Sequence, residues 1–587
     1  MQLPACAPFV ALCFAVVLPQ SAPAQAPALP PLLDTMTSEL TRAMGTLGKS
    51  GTEKQPEKQV PPYFLSYSVA DAAGVSIRAQ YGALVDSQNT HQRVVDVQVR
   101  VGDPKLDNTH GSHRSSAVNT LQLPLTDDRE ALSRSLWLAT NSGYGTALDN
   151  YLRVKTEAEV RAKEEDSSGD FSTEPKQISV EKPAPAPVVD KAVWEDRVRS
   201  LSKIFRDYPD VYQNVVMLTA QNETDYFASS EGSRLSSPHQ AARLIVFAVS
   251  RAEDGMDLFR AQTFEAETVE GLPKQAELEA AMRELGKSLE ELRKAPVTEP
   301  FNGPAILSGR AAAVFFHEVL GHRLEGQRQR GDEEGQTFTK EVNKPVLPSF
   351  LSVADDPTRT KFGDTWLSGS YEFDDEGQKA KKVDLIQDGV LKTFLMSRLP
   401  IASFSNSNGH GRGQTGRVPN GRQGNLIVSS TKAVPETELR KMLIEEAKKQ
   451  GKPYGLYFED ISSGFAVTTR NSPQAFQVIP LVVYRVYVDG RPDELVRGVS
   501  IVGTPLAAMK RILATGDKSE VFNGECGAES GSIPVSAVAP AMLLTEIETQ
   551  RQPKGKERVP ILPNPSANTN SPVNVADEAA SPAGKGN

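Results

Sequence analysis

Cysteine is nearly absent from this chain. Its 587 residues contain three, Cys6, Cys13 and Cys526, too few and too scattered for a disulfide framework. No apolar run reaches the ~18 residues that a membrane-spanning helix needs, so no span is expected. Positive charge is in deficit: 65 Lys and Arg stand against 74 Asp and Glu, a net charge of −9. That balance excludes the basic footprint of a general nucleic-acid binder. No repeat of solenoid length is visible. What remains, 39% hydrophobic and 24% charged residues, is ordinary for a folded protein. The length suffices for two or more domains with sizeable cores.

The first 24 residues carry no charged side chain. Phe9–Leu18, FVALCFAVVL, has the length of a secretory h-region, and Ala22 and Ala24 supply an A-x-A cleavage signal before Gln25. The expectation is a signal peptide over residues 1–24 and an exported protein, periplasmic or secreted, although its n-region has no Lys or Arg. Loss of that segment removes Cys6 and Cys13 and leaves Cys526 alone. A lone cysteine cannot close an internal disulfide, so it is buried, intermolecular, reactive or a metal ligand.

Patterning divides the remainder. Pro30–Thr46 reads as helix, and YFLSYSVA, GVSIRAQYGALVDS and RVVDVQVRVG alternate with period two, as strands do. A helical region opens after Thr126, a Ser/Pro/Lys/Glu stretch over Ser167–Asp190 reads as an exposed loop, and helices are expected near Lys191–Arg206 and Pro273–Arg293. These elements predict an N-terminal α+β domain over residues 25–298 with a low-complexity insert near 167–190. A second domain, residues 299–550, is strand-rich, with hairpin turns at Asp388-Gly389 and Asp489-Gly490 and one helix at Glu436–Gln450. The fold class is therefore α+β: a layered N-terminal domain, then an antiparallel, barrel-like C-terminal one. Residues 551–587, with little that is apolar, are expected to be disordered.

The chemistry gathers in AAAVFFHEVLGHRLEG, Ala311–Gly326. His317 and His322 are five positions apart, about 140° on an ideal helix, so a regular helix turns them to different sides. Sharing an ion requires a break or π-type widening at Leu320–His322, where Gly321 lets a helix loosen or end. Glu318, beside the first histidine, has the position of the general base in zinc-peptidase helices. A catalytic zinc usually takes three protein ligands, and Cys526, flanked by Gly524 and Gly527, is the third candidate. The bland readings stay open here: two histidines on a plain amphipathic helix, and a cysteine used as a small core hydrophobe. His91, His110, His113 and His239 have weaker claims, and His410, in SNSNGHGRGQTGR, could face substrate from a flexible loop. Asp374–Gly377, DDEG, reads as a solvated turn or a contact to a basic part of a substrate, and Glu325 as a partner of a ligand histidine.

Four segments run in one order between Pro300 and Leu544: FFHEVLGHRLEG; GSYEFDDEGQKAKKVDLIQDGVLKTFLMSR; NGHGRGQ with GNLIVSS; and GECGAESGSIPVS. Together they resemble the TldD/PmbA family of metallopeptidases, once called modulators of DNA gyrase. The resemblance implies zinc held by His317, His322 and Cys526 with Glu318 as base. It also places the chain on the TldD-like side, since the PmbA (TldE)-type subunit lacks HExxxH. It implies a two-subunit assembly, a homodimer or a heterodimer with a paralogous subunit. The N-terminal domain resembles the family loosely, so the family's substrates are not carried over. The expected function is a zinc-dependent peptidase that hydrolyses flexible or unfolded polypeptides through a metal-bound water. The alternative is a non-catalytic assembly or binding subunit with a structural zinc. A hydrolase of other bonds would use the same chemistry.

Overall fold

The computed structural model describes residues 29–49, 60–111, 114, 117–160, 166–330, 335–470 and 475–552. The expected signal peptide lies outside the described residues, as do His113 and the tail beyond residue 552.

The N-terminal part is built on an eight-stranded sheet. Five long strands form its body: β1 (Pro62–Gln80), β2 (Ala83–Asp103), β3 (Val211–Ser229), β4 (Arg234–Arg251) and β5 (Asp257–Ala266). They pair antiparallel in the order β2-β1-β3-β4-β5. Alternation decides what is buried: Leu65, Tyr67 and Val69 turn inward on β1, and Val95, Val97 and Val99 on β2. GVSIRAQYGALVDS is not one strand. A two-residue turn at Tyr81-Gly82, with φ of 47° and 83°, divides it into β1 and β2. Glycine at the second position suits such a turn, but tyrosine at the first hides it from a reading that looks for Asn or Asp. Helices α1 (Pro31–Thr46) and α2 (Arg129–Val160) cover one part of the sheet through Leu32, Leu132 and Leu136. Helices α3 (Lys191–Lys203) and α4 (Gln275–Lys294) cover another through Val198, Leu201, Leu285 and Leu289.

The C-terminal part holds a twelve-stranded sheet. Its site-bearing strands are β6 (Asn302–Leu307), β7 (Asn425–Ser430), β8 (Tyr454–Ala466), β9 (Phe476–Tyr487), β10 (Val499–Gly503), β11 (Ile512–Ala528) and β12 (Gly531–Arg551). β12 pairs with both β10 and β6, β6 with β8, β8 with β9, and β9 with β10. The pairing thus closes into a five-membered ring, which removes exposed edges. β11 returns along β12 as a hairpin arm, and β7 runs parallel to the start of β12. Helix α5 (Gly309–Val319) leaves β6 at Ser308 and packs on β8, β11 and β12. Every residue from Ala311 to Val319 is buried. Helix α6 (Glu436–Lys449) covers the outside, with Leu439 and Leu443 against Ile306 and Leu543.

The stretch expected as an exposed insert is in part a strap between the two halves. Asp170, Phe171 and Ser172 are buried. Arg398, 1% exposed, donates through Nε to the Ser172 carbonyl at 3.2 Å and through both Nη atoms to Glu231 at 2.8 Å. Its guanidinium lies 3.9 Å from the Phe171 ring centre. The polar composition looked solvated because the groups that satisfy it are not local: His110 and Arg330 reach Asp170, and Arg398 reaches Ser172 from 226 residues away. Removing one partner of a buried pair is costly, and Glu231 keeps a quarter of its side chain exposed. Arg398→Ala is therefore expected to lower unfolding free energy by about 3 kcal/mol, read by chemical denaturation.

Candidate metal centre

Ser308 starts the helix: its hydroxyl accepts the Ala311 N–H at 3.1 Å, the bond an N-cap serine makes. The ladder ends at the Leu320 N–H, which donates to the Phe316 carbonyl at 3.1 Å. Leu320 stands at φ −111°, ψ −52°, and a tighter 3₁₀ turn carries Gly321–Leu324. The helix breaks rather than widens. The break brings the His317 and His322 rings to 5.0 Å between centres, at 76°. Gly321 is required by contact: a Cβ there would fall on the side-chain amide of Gln423. Gln423 in turn donates to the His317 carbonyl at 3.4 Å. Gly321→Ala is expected to cost about 1–3 kcal/mol and to weaken metal uptake, measured by thermal unfolding with and without zinc.

Cys526 arrives from the other direction, on β11 opposite Ile533 of β12. It is 5% exposed and packs with Ile533 and Val535. Its Sγ lies 3.2 Å from His317 Nε2 and 3.5 Å from His322 Nε2. Ligands at about 2.05 and 2.3 Å from one zinc stand about 3.5 Å apart across a tetrahedral edge, so both separations suit a shared ion. All three donor atoms lie within 4.8 Å of one another. One sulfur and two imidazole nitrogens form a set that suits zinc rather than calcium or magnesium, which take oxygen.

The metal-free charges point the same way. Burial, the largest influence, pulls the His317 imidazole down, but the Cys526 thiolate outweighs it and raises it. Burial also opposes protonation of His322, and Glu325 and Cys526 together carry it well above its ordinary value. For Cys526, burial favours the thiol, but the two histidines hold it well below the usual thiol range. The histidines thus favour the thiolate that a metal requires, and an ion binding here would compete with the protons that Cys526 and Glu325 favour on the imidazoles.

Glu325 orients the second histidine. Fully buried, it accepts the His322 Nδ1–H at 3.0 Å and the Arg328 Nε–H at 2.7 Å. Burial alone would raise its pKa, but His322 and Arg328 hold it at about 2. Arg328 continues to Thr468 at 2.8 Å and Glu529 at 2.9 Å. Arg422, 0% exposed, donates to the Cys526 carbonyl at 2.7 Å. Neither arginine follows from any spacing rule. Each matters through the residue it reaches.

Glu318 lies on the cavity side. Its Oε2 is 3.8 Å from His322 Nε2. A Cβ at Gly464 of β8 would stand 2.7 Å from Glu318 Cγ, so that glycine makes room for the carboxylate. His317, Glu318, His322 and Cys526 line a cavity of about 520 Å³ whose other walls are the ends of β8 and β11 and residues 261–263 of β5. The N-terminal part therefore supplies one wall.

The remaining candidates are elsewhere. His410 does not face a cavity: it is 0% exposed, with Nε2 3.4 Å from Asp355 Oδ1. Its glycine-rich loop is packed, because the glycines admit close neighbours: a Cβ at Gly409 would meet the backbone of Lys379, and one at Gly411 the Glu376 carboxylate. DDEG is packed rather than solvated at three of its four residues, and Asp375 keeps a third of its side chain exposed. Asp374 accepts the Glu376, Gln378 and Gly411 N–H groups, and Glu376 accepts that of Arg398 at 2.6 Å. His91 pairs with Asp71, His110 with Asp170, and His239 lies by Glu223 and Asp225.

Residues 301–551 match the family of the PmbA/TldA metallopeptidase C-terminal domain. The chain is 29% identical over 239 residues to a metalloprotease of Archaeoglobus fulgidus, covering 40% of this chain and 51% of that one. It is 26% identical over 252 residues to the metalloprotease TldD homolog of Haemophilus influenzae, covering 42% and 47%. To the zinc metalloprotease TldD homolog of Saccharolobus solfataricus it is 22% identical over 250 residues, covering 42% and 51%. The chain spans about half the length of these relatives. Two solved structures share the fold more fully. One, from Thermotoga maritima, was determined as a candidate modulator of a DNA gyrase: TM-score 0.55, 16% identity, 83% of this chain and 96% of that one. The other is TldE from Thermococcus kodakarensis: TM-score 0.54, 11% identity, 83% and 97%. At such identities the likeness concerns the fold alone.

These matches support the metalloprotease and TldD parts of the sequence reading. They give no support to its signal peptide or periplasmic location, and that expectation is withdrawn. Its physical weakness is charge, since Met1–Ala24 lacks the Lys or Arg an export signal carries. No helix among the described residues is long and apolar enough to cross a membrane.

Proposed function

Because the chain belongs, through residues 301–551, to the TldD/PmbA family of metallopeptidases, we propose that it is a zinc-dependent peptidase acting on flexible or unfolded polypeptides. His317, His322 and Cys526 would hold the ion. Zinc bound there would supply Lewis acidity, the chemistry that acidifies water and polarises a scissile carbonyl. Glu318 takes the proton from the attacking water and returns it to the leaving nitrogen. The apolar face of α5, Ala311–Phe316, keeps bulk water from beneath the site and strengthens its electrostatics. The β8, β11 and β5 walls restrict entry to an extended segment of chain.

One observation carries this reading. Three donors and a carboxylate share the wall of a cavity, and among the described residues no fourth donor joins the three within 4.8 Å. A structural zinc is closed by four protein ligands, whereas a catalytic one keeps a position open. The test is metal analysis of the purified protein beside cleavage of casein, a folded globular protein and a simple ester, before and after chelation. One zinc per chain, with chelator-sensitive cleavage of casein alone, is expected. A zinc-loaded protein inert towards every polypeptide sinks the reading, and turnover of the ester alone moves it to another hydrolase class.

We also propose assembly as a homodimer or with a paralogous subunit, in keeping with the fold shared with TldE. Light scattering of the protein alone and mixed with its paralogue reads this against the 63.6 kDa chain mass.

A further inference from the structure

Arg422 is among the largest fully buried side chains in the molecule, and the mechanism above does not use it. Its Nη2 donates to the Cys526 carbonyl at 2.7 Å. Its Nη1 donates to Ser530 Oγ at 2.7 Å and to the Gly531 carbonyl at 3.2 Å. Its Nε lies 3.4 Å from Glu325 Oε1, the oxygen that takes the His322 Nδ1–H at 3.0 Å. One rigid guanidinium therefore hydrogen-bonds the backbone of the residue that brings the sulfur and stands, without a hydrogen bond from Nε, within ion-pair distance of the carboxylate that aims an imidazole.

We propose that Arg422 is a positioning residue that couples the Cys526 strand to the His322–Glu325 pair and so sets the affinity of the site for its ion. The inference rests on reading the three donors as a zinc site. The donors come from segments about 200 residues apart, α5 with its following turn and the β11–β12 hairpin, whose nearest backbone tie is the β6–β12 pairing at Leu307 and Met542, nine residues along β12 from the Ile533 that faces Cys526. A planar fork with five donors in fixed directions can span both. Lysine carries the same charge but presents it as a point, so it cannot bond the Cys526 carbonyl and also keep a cationic edge beside the Glu325 oxygen.

The arrangement also makes the idea testable without collapse of the site. Arg328 bonds the other Glu325 oxygen at 2.7 Å, so removing Arg422 does not leave that carboxylate without a cation. Outer partners of metal ligands typically affect affinity by about 10–100-fold. The experiment is zinc titration against a competing chelator for wild type, Arg422→Gln, Arg422→Lys and Ser530→Ala. Circular dichroism confirms that each is folded, and cobalt substitution reports the thiolate-to-metal charge-transfer band.

We expect both Arg422 variants to bind zinc about 10–100-fold more weakly and to show a displaced or diminished thiolate band. Ser530→Ala, which trims only the hairpin contact, should keep wild-type affinity and band. If Arg422→Gln does not fold, Arg422→Lys alone decides. A folded variant that binds zinc within twofold of wild type, with an unaltered band, reduces Arg422 to a structural strut and overturns the proposal. Equal weakening in Ser530→Ala overturns it too, since general loosening of the hairpin would then suffice. A wild-type chain that takes up no zinc removes the site and this inference with it, a result distinct from the other two.

Discussion

Glu318→Gln protein is expected to take up zinc at the wild-type level and to cleave casein about 10²–10⁴-fold more slowly. Both halves of that result follow from where the carboxylate sits. Its nearest donor atom is His322 Nε2, at 3.8 Å, outside hydrogen-bonding distance, so no ligand depends on it for orientation. That duty belongs to Glu325, which bonds the other nitrogen of the same ring. Glutamine fills the same space beside Gly464 and keeps the packing, but its amide cannot accept the proton that an attacking water must lose. A thousandfold loss is about 4 kcal/mol of barrier, the scale expected of one positioned base in a water-poor site. The readout is zinc per chain beside initial rates at several substrate concentrations, with the loss falling on kcat. Zinc lost together with activity makes Glu318 a fourth ligand and the site a closed one. Undiminished cleavage removes Glu318 from the chemistry.

Sequence pattern revealed this molecule unevenly, for physical reasons. The N-terminal strands were legible because one face of each is buried, and burial writes period two into the residues, as Leu65, Tyr67 and Val69 show. The C-terminal part was legible as a strand-rich, barrel-like domain, but not which strands close its ring. Closure depends on Asn302–Leu307 meeting β12 near Met542–Glu548, and no local pattern encodes a partner some 240 residues away. At the site, His317, Glu318 and His322 stand within one short string, so local spacing flagged them and also located the break. Cys526 needed its glycine neighbours and the family resemblance. Gln423, Gly464, Arg328 and Arg422 were invisible, since each is defined by what it touches. His410 was misread for a related reason: glycine gives freedom to an exposed loop, but in a packed one it allows close approach.

Cys526→Ala tests whether the distant sulfur belongs to the centre, and its effect should exceed that of any outer partner. The variant loses one of three donors, so zinc affinity is expected to fall by more than the 10–100-fold typical of a second layer. Cleavage should fall with it and not return at micromolar zinc. Stability supplies a readout independent of substrate. An ion that binds only the folded state stabilises it by RT ln(1 + [L]/Kd), about 2.7 kcal/mol at a hundredfold excess over Kd. Wild type should therefore unfold at a higher temperature when zinc is added, and Cys526→Ala should not respond. The substitution itself is mild, because Cys526 packs against Ile533 and Val535 in a small apolar cluster where alanine leaves only a modest gap. Metal-free unfolding should then differ little between the two proteins, except that the variant also loses the attraction between the buried thiolate and two imidazoles that the metal-free fold contains. A variant that keeps one zinc and the full thermal shift would mean the imidazoles hold the ion without sulfur. Hydrolysis by this chain would then need a third ligand from somewhere other than the β11–β12 hairpin.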